Sequence, residues 1–76
     1  MQMTISTHGP DGFPFSPPTT SDCPDTWRKE LTAKRRNRNL VKTESGIEFD
    51  TYPAGHWVGV DAEYLNAIRT RITFTA

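Results

Sequence analysis

The stretch "NLVKTESGIEFDTYPAGHWVGV", residues 39–60, decides the fold, because three short runs of strand-forming residues are separated there by two groups of turn-formers. "NLVKT", "IEFDTY" and "WVGV" are the runs, with "ESG" and "PAGH" between them, and the pattern predicts a three-stranded antiparallel meander. If Glu44, Ser45 and Gly46 form a three-residue loop with glycine at its left-handed position, Val41 falls opposite Phe49 and Lys42 opposite Glu48. A four-residue loop over 53–56 sets Tyr52 opposite Trp57, Thr51 opposite Val58 and Phe49 opposite Val60. The two hairpins then agree on their faces. One carries Val41, Ile47, Phe49, Thr51, Val58 and Val60; the other carries Leu40, Lys42, Glu48, Asp50, Tyr52, Trp57 and Gly59.

Helices are expected on both sides of this meander. Before it, residues 24–37 read as a helix: Asp22 or Cys23 can cap it, Pro24 suits its first turn and Asp25 lies near its positive end. Trp27 and Leu31 share its inward side, and Arg28, Lys29, Thr32, Arg35 and Arg36 form the opposite arc. After it, residues 61–70 read as a second helix, with Asp61 as cap and Leu65, Ile68 and Ile72 as the apolar stripe. The expected core joins Trp27, Leu31, Phe49, Val58, Val60, Leu65 and Ile68.

The ends alternate as strands do. Met1, Met3 and Ile5 give a short edge strand, and Ile72, Phe74 and Ala76 allow a last strand that could pair with it. Between the first strand and the first helix, residues 8–24 hold five of the six prolines and two glycines, the composition of an extended arm without regular structure. Phe13 and Phe15 in that arm give it a means of packing down, on the face of Leu40, Tyr52 and Trp57. The expected architecture is α+β in a single small domain over 1–76: strand, arm, helix, three strands, helix, with room for terminal strand pairing. At 76 residues such a domain buries only about 60% of the surface of its unfolded chain.

Charge is where the functional information lies. The net charge is zero, but residues 1–26 sum to −3, residues 27–43 to +6 and the remainder to −3. Seven of nine cations thus fall within 17 residues, around "KRRNRN" at 34–39. A helix needing only solubility would mix Glu among its Lys and Arg, whereas this one holds Glu30 alone, so the basic run reads as a contact surface.

Catalytic equipment is sparse. Cys23 has no histidine within a few residues, His8 and His56 give no metal-ligand spacing, and Glu48 with Asp50 reads as a solvated sheet face rather than an acid–base pair. No catalytic residue, metal or cofactor is expected, and the chain is not read as an enzyme. One cysteine excludes an internal disulfide, and no basic start followed by an apolar run marks export, so the expected compartment is the reducing cytoplasm. No apolar run approaches the ~20 residues needed to span a bilayer.

Two binding modes are open. Arg28, Lys29, Lys34, Arg35, Arg36 and Arg38 offer positive charge to phosphate, the arginines as planar paired donors, with Asn37 and Asn39 available for base edges, which suits a small DNA- or RNA-binding regulator. The order helix, three strands, helix resembles double-stranded-RNA-binding domains in topology. This chain departs from their motifs, since its second turn is Pro53-Ala54-Gly55-His56 and its last helix opens with Asp61-Ala62-Glu63, an acidic start that repels phosphate. Alternatively the cations, with Tyr52 and Trp57 as aromatic anchors, dock on a protein.

The leading expectation is the second: a non-catalytic binding protein whose partner is a host protein or nucleoprotein complex with an acidic or phosphate-bearing surface. In size, and in having no motif, the chain resembles the small accessory proteins of phages and mobile elements, anti-CRISPR proteins among them. That resemblance implies an inhibitor that occupies a surface of a nucleic-acid-handling complex, acting as a monomer or small homo-oligomer.

Overall fold

Two alternating segments at the chain ends build the middle of the sheet. "QMTISTH" turns Met3, Ile5 and Thr7 to one side, and "RTRITFT" turns Thr70, Ile72 and Phe74 to the same side. In the computed structural model, which describes residues 1–52, 55 and 57–76, they pair antiparallel as β1 (Gln2–His8) and the last strand (Arg69–Thr75), from Gln2 opposite Thr75 to His8 opposite Arg69. The remaining strands are β2 (Pro14–Asp22), β3 (Val41–Lys42) and β4 (Gly46–Asp50), which makes the last strand β5. The sheet is antiparallel and five-stranded, in the order β2-β1-β5-β4-β3. With helices α1 (Asp25–Leu31) and α2 (Ala62–Asn66) the class is α+β.

The three-stranded meander is corrected in two places. Residues 57–60 form no strand: Val58 and Gly59 make a turn, Gly59 has φ +78° and Val58 is 84% exposed. The strand beside β4 is β5 instead. Along it Ile47 faces Ile72 and Phe49 faces Thr70 on one side, while Glu48 faces Arg71 and Asp50 faces Arg69 on the other. Buried contacts on one face and opposite charges on the other favour this pairing over "WVGV", which has no cations to offer. Of the loop expected over 53–56, Pro53, Ala54 and His56 lie outside the described residues.

The first hairpin is also shifted by one residue. Val41 lies opposite Glu48 and Lys42 opposite Ile47, and the Thr43 N–H donates to the Gly46 carbonyl, so the link is Glu44-Ser45 alone. A slip of one exchanges the faces. Leu40 is therefore buried and Val41 is half-exposed. Gly46 is needed for a different reason from the one its loop suggested: a Cβ there would fall on the Ile72 carbonyl oxygen, so glycine lets β4 approach β5.

The proline-rich arm is β2. Pro14, Pro17 and Pro18 are tolerated because the strand is at the sheet edge, where a missing N–H costs no ladder bond, and the register slips between Ile5 and His8 as in a bulge. Consequently β1 is an interior strand. The core lies on the other side of the sheet from Arg69 and Arg71: Met3, Cys23, Leu40, Ile47 and Ile72 are buried together, and Ile5, Leu31, Phe49 and Phe74 pack against them. Of the expected core, Ile68 is fully buried and Leu31 and Phe49 contribute, whereas Trp27 is 52% exposed.

Both helices are shorter than expected. At α2 the Asp61 carboxylate accepts from the Glu63 N–H at 2.9 Å, as its capping role requires, but the chain turns at Ala67 and gives Ile68 and Ile72 to the core from outside the helix. At α1 the N-cap is Pro24, with no side-chain cap.

Candidate functional site

The basic run begins where α1 stops. The Thr32 hydroxyl donates to the Arg28 or Lys29 carbonyl, at 2.9 and 3.1 Å, and the Asn37 amide donates to the Leu31 carbonyl. With those carbonyls satisfied, the helix has no need to continue into a segment of like charges, which a further turn would crowd together. Arg28 and Lys29 thus occupy the last turn, where the helix end favours cations. Lys34, Arg35 and Arg36 follow on an exposed turn closed by the Arg36 N–H on the Ala33 carbonyl.

The single cationic ridge over 24–37 therefore divides into three. Arg28 lies over the Phe74 ring, 5.4 Å from its centroid, and lines a cleft with Lys29. Lys34 and Arg35 project into solvent, and among the described residues neither has an acidic partner; Arg36 pairs with Glu30 at 3.3 Å, both ends well exposed. Arg38 lies over the Tyr52 ring at 5.3 Å. Tyr52 is thus part of the basic crest. Trp57 belongs elsewhere, edge-on to Phe15 with centroids 4.8 Å apart, and the Tyr64 ring is 6.5 Å from that of Phe15. Of the arm's two aromatics, Phe15 docks and Phe13 remains 69% exposed.

The asparagines of "KRRNRN" are structural. Asn37 holds the end of α1, and Asn39, at φ +53°, donates from its amide to Asp50 Oδ2 at 2.6 Å. The Arg38 carbonyl accepts from the Asp50 N–H at 2.9 Å, which fixes the far end of the run to β4. Both amides are used inside the molecule.

A second polar constellation was not anticipated as one unit. On the open face of the sheet, alternation in "IEFD" and "RTR" brings Glu48 and Asp50 beside Arg71 and Arg69, with His8 next to Arg69 on β1. Arg69 Nη1 binds Asp50 Oδ1 at 2.5 Å, its Nε is 3.6 Å from Glu48 Oε2, and its Nη2 donates to the carbonyls of Asn39 and Glu48. His8 Nε2 and Arg71 Nη2 approach Glu48 Oε1 at 2.8 and 3.3 Å. The signal lay in the period of two. It needed the β1–β5–β4 order to become a cluster.

This cluster borders a cavity of about 340 Å³ with Gly9 and Gly12. A carboxylate beside an imidazole is the start of acid–base equipment, but Glu48 is already committed to three donors and Asp50 to Arg69 and Asn39, the arrangement of a neutralised surface. Cys23 is 1% exposed and its Sγ faces the Pro24 carbonyl at 3.7 Å, so this thiol is shielded from any substrate. Among the described residues no three His, Cys, Asp or Glu gather as a metal site would need, and no helix is long and apolar enough to cross a membrane. Burial raises the Tyr64 hydroxyl above its ordinary pKa, with Asp11 adding to the effect through its charge and a 3.5 Å hydrogen bond.

No family model matches the chain, and neither a curated protein nor a solved structure matches it.

Proposed function

We propose that the chain is a non-catalytic docking protein that sets its basic crest on an acidic or phosphate-bearing face of a host nucleic-acid-handling complex, as small phage-encoded inhibitors of the anti-CRISPR kind do. The observation that supports this reading is an asymmetry in how charge is used. Arg69 and Arg71 are engaged by Glu48 and Asp50, whereas of the cations between 28 and 42 only Arg36 has an acidic partner among the described residues. The acidic residues of the sheet are internally balanced, and the crest is left to meet negative charge outside the molecule. Arg38 on Tyr52 adds the aromatic–guanidinium pairing that anchors many interfaces. Such a protein works in the cytoplasm, where the complex is.

The test is affinity capture by the tagged chain from bacterial lysate, before and after nuclease, beside a Lys34→Glu, Arg35→Glu variant. A protein complex retained after nuclease and lost with the variant is the expected result. Capture that disappears with nuclease would make the chain a DNA- or RNA-binding regulator, and its duplex affinity should then fall with salt at a log–log slope near −3.6 if about four phosphates are neutralised. Equal capture by both forms would remove the crest from the interface.

A further inference from the structure

Helix α1 runs beside the end of the sheet without closing on it. Asp25, Arg28, Lys29 and Thr32 recur at the three- and four-residue spacing of one helix face, and all four line a cleft of about 800 Å³ whose far wall is the hairpin around Glu44 and Ser45. A helix face turned toward a sheet is ordinarily apolar, whereas this one carries two cations. Lys42 supplies a third from the hairpin, against Asp25 and Glu44. Among the described residues none of these five charges forms an ion pair.

The lining also includes apolar surface, from the partly buried Phe74, with the core residue Ile47 behind it. Arg28 lies over the Phe74 ring and forms no ion pair among the described residues, which leaves its N–H groups for acceptors on a ligand. The volume lies in the roughly 300–1,000 Å³ range of clefts that hold ligands.

We infer that this cleft seats an extended peptide segment of the partner protein, one in which an apolar side chain is flanked by carboxylates. The apolar group meets Phe74, and the carboxylates meet Arg28, Lys29 and Lys42. A nucleic-acid strand suits the cleft less well, because its evenly spaced phosphates would be opposed by Asp25 and Glu44, whereas a peptide can place a neutral or donor group beside each. The inference rests on the docking reading above and names what the partner inserts.

The experiment is a titration of the isotopically labelled full chain with the capped peptide Glu-Glu-Leu-Glu-Glu, and separately with decathymidylate, following backbone amides by NMR. Peptide-induced shifts confined to residues 25–32, 42–47 and 74–76 are expected. Arg28→Glu with Lys42→Glu should weaken the peptide by about tenfold or more, and Lys34→Glu with Arg35→Glu should leave it nearly unchanged. Should the first pair misfold, Lys29→Glu, an exposed position, reads the same electrostatic contribution singly. No amide shift at millimolar peptide, shifts centred outside the cleft, or tighter binding of decathymidylate would overturn the assignment. Because the peptide titration reads Arg28 and Lys42 and the capture experiment reads Lys34 and Arg35, failure of the cleft with capture intact overturns this inference alone.

Discussion

On the open face of the sheet, Arg69 spreads its guanidinium over Asp50, Glu48 and two backbone carbonyls, while on the crest Lys34 and Arg35 have no acidic partner among the described residues. Both regions are polar, and both come from short runs of charged residues. The difference is one of backbone geometry. Adjacent antiparallel strands hold opposite charges face to face at fixed spacing, so pairing is the natural outcome. The turn after α1 exposes Lys34, Arg35 and Arg36 side by side, with no facing strand to supply opposite charges. Charge on the sheet therefore contributes to folding, and charge on the crest is available for association.

The largest expected effect lies beneath both regions, in the hairpin register that decides which side chains reach the polar face. Leu40→Ala should cost about 2–5 kcal/mol, because Leu40 is in the core, and Val41→Ala less than about 1 kcal/mol, because Val41 is half-exposed on the polar face. Urea midpoints measure both. A larger loss at Val41 would restore the register in which it faces Phe49, with Leu40 then on the polar face.

Next in size is Arg69→Ala, which leaves Glu48 and Asp50, each only about a fifth exposed, short of their main donor. A loss of about 1–3 kcal/mol is expected. If the midpoint does not move, the sheet charges are as dispensable to folding as those of the crest and the contrast fails.

Smaller again is the effect of Lys34→Glu with Arg35→Glu on stability, which should stay within about 0.5 kcal/mol of the parent while capture of the partner is lost. A large destabilisation by the reversal would mean that the crest is part of the fold.

The smallest effect is at high pH. Tyr64 has its pKa raised in the folded state, by burial first and then by Asp11, above the ordinary value of 10.0. The folded form therefore holds the phenolic proton more tightly than the unfolded chain. The associated stability is fully present below about pH 10 and is lost as pH rises through the higher folded value. Tyr64→Phe should flatten that alkaline decline. An unchanged pH profile would remove Tyr64 from the turn in which Gly9 packs beneath its ring, where a Cβ would fall on the hydroxyl.

Much of this was legible in the residues themselves, and the limits were physical. Period-two alternation marked β1, β4 and β5, and it correctly separated Glu48 and Asp50 from Ile47 and Phe49. Asp61 announced the start of α2. The blocks of charge along the chain were fully determined by the order of the residues. Local sequence, however, states which residues share a face of a strand and not which strand lies beside it, because every strand offers the same backbone donors and acceptors. Whether β4 took residues 57–60 or β5 as its neighbour was settled by side chains about twenty positions away. The same long-range choice drew the proline-rich arm into an edge strand, gathered His8, Glu48 and Arg71 at one spot, and replaced a single cationic ridge by three separate groups. Only the assembled sheet decided these, since hydrogen bonds and ion pairs between distant residues exist only once the chain has closed on itself.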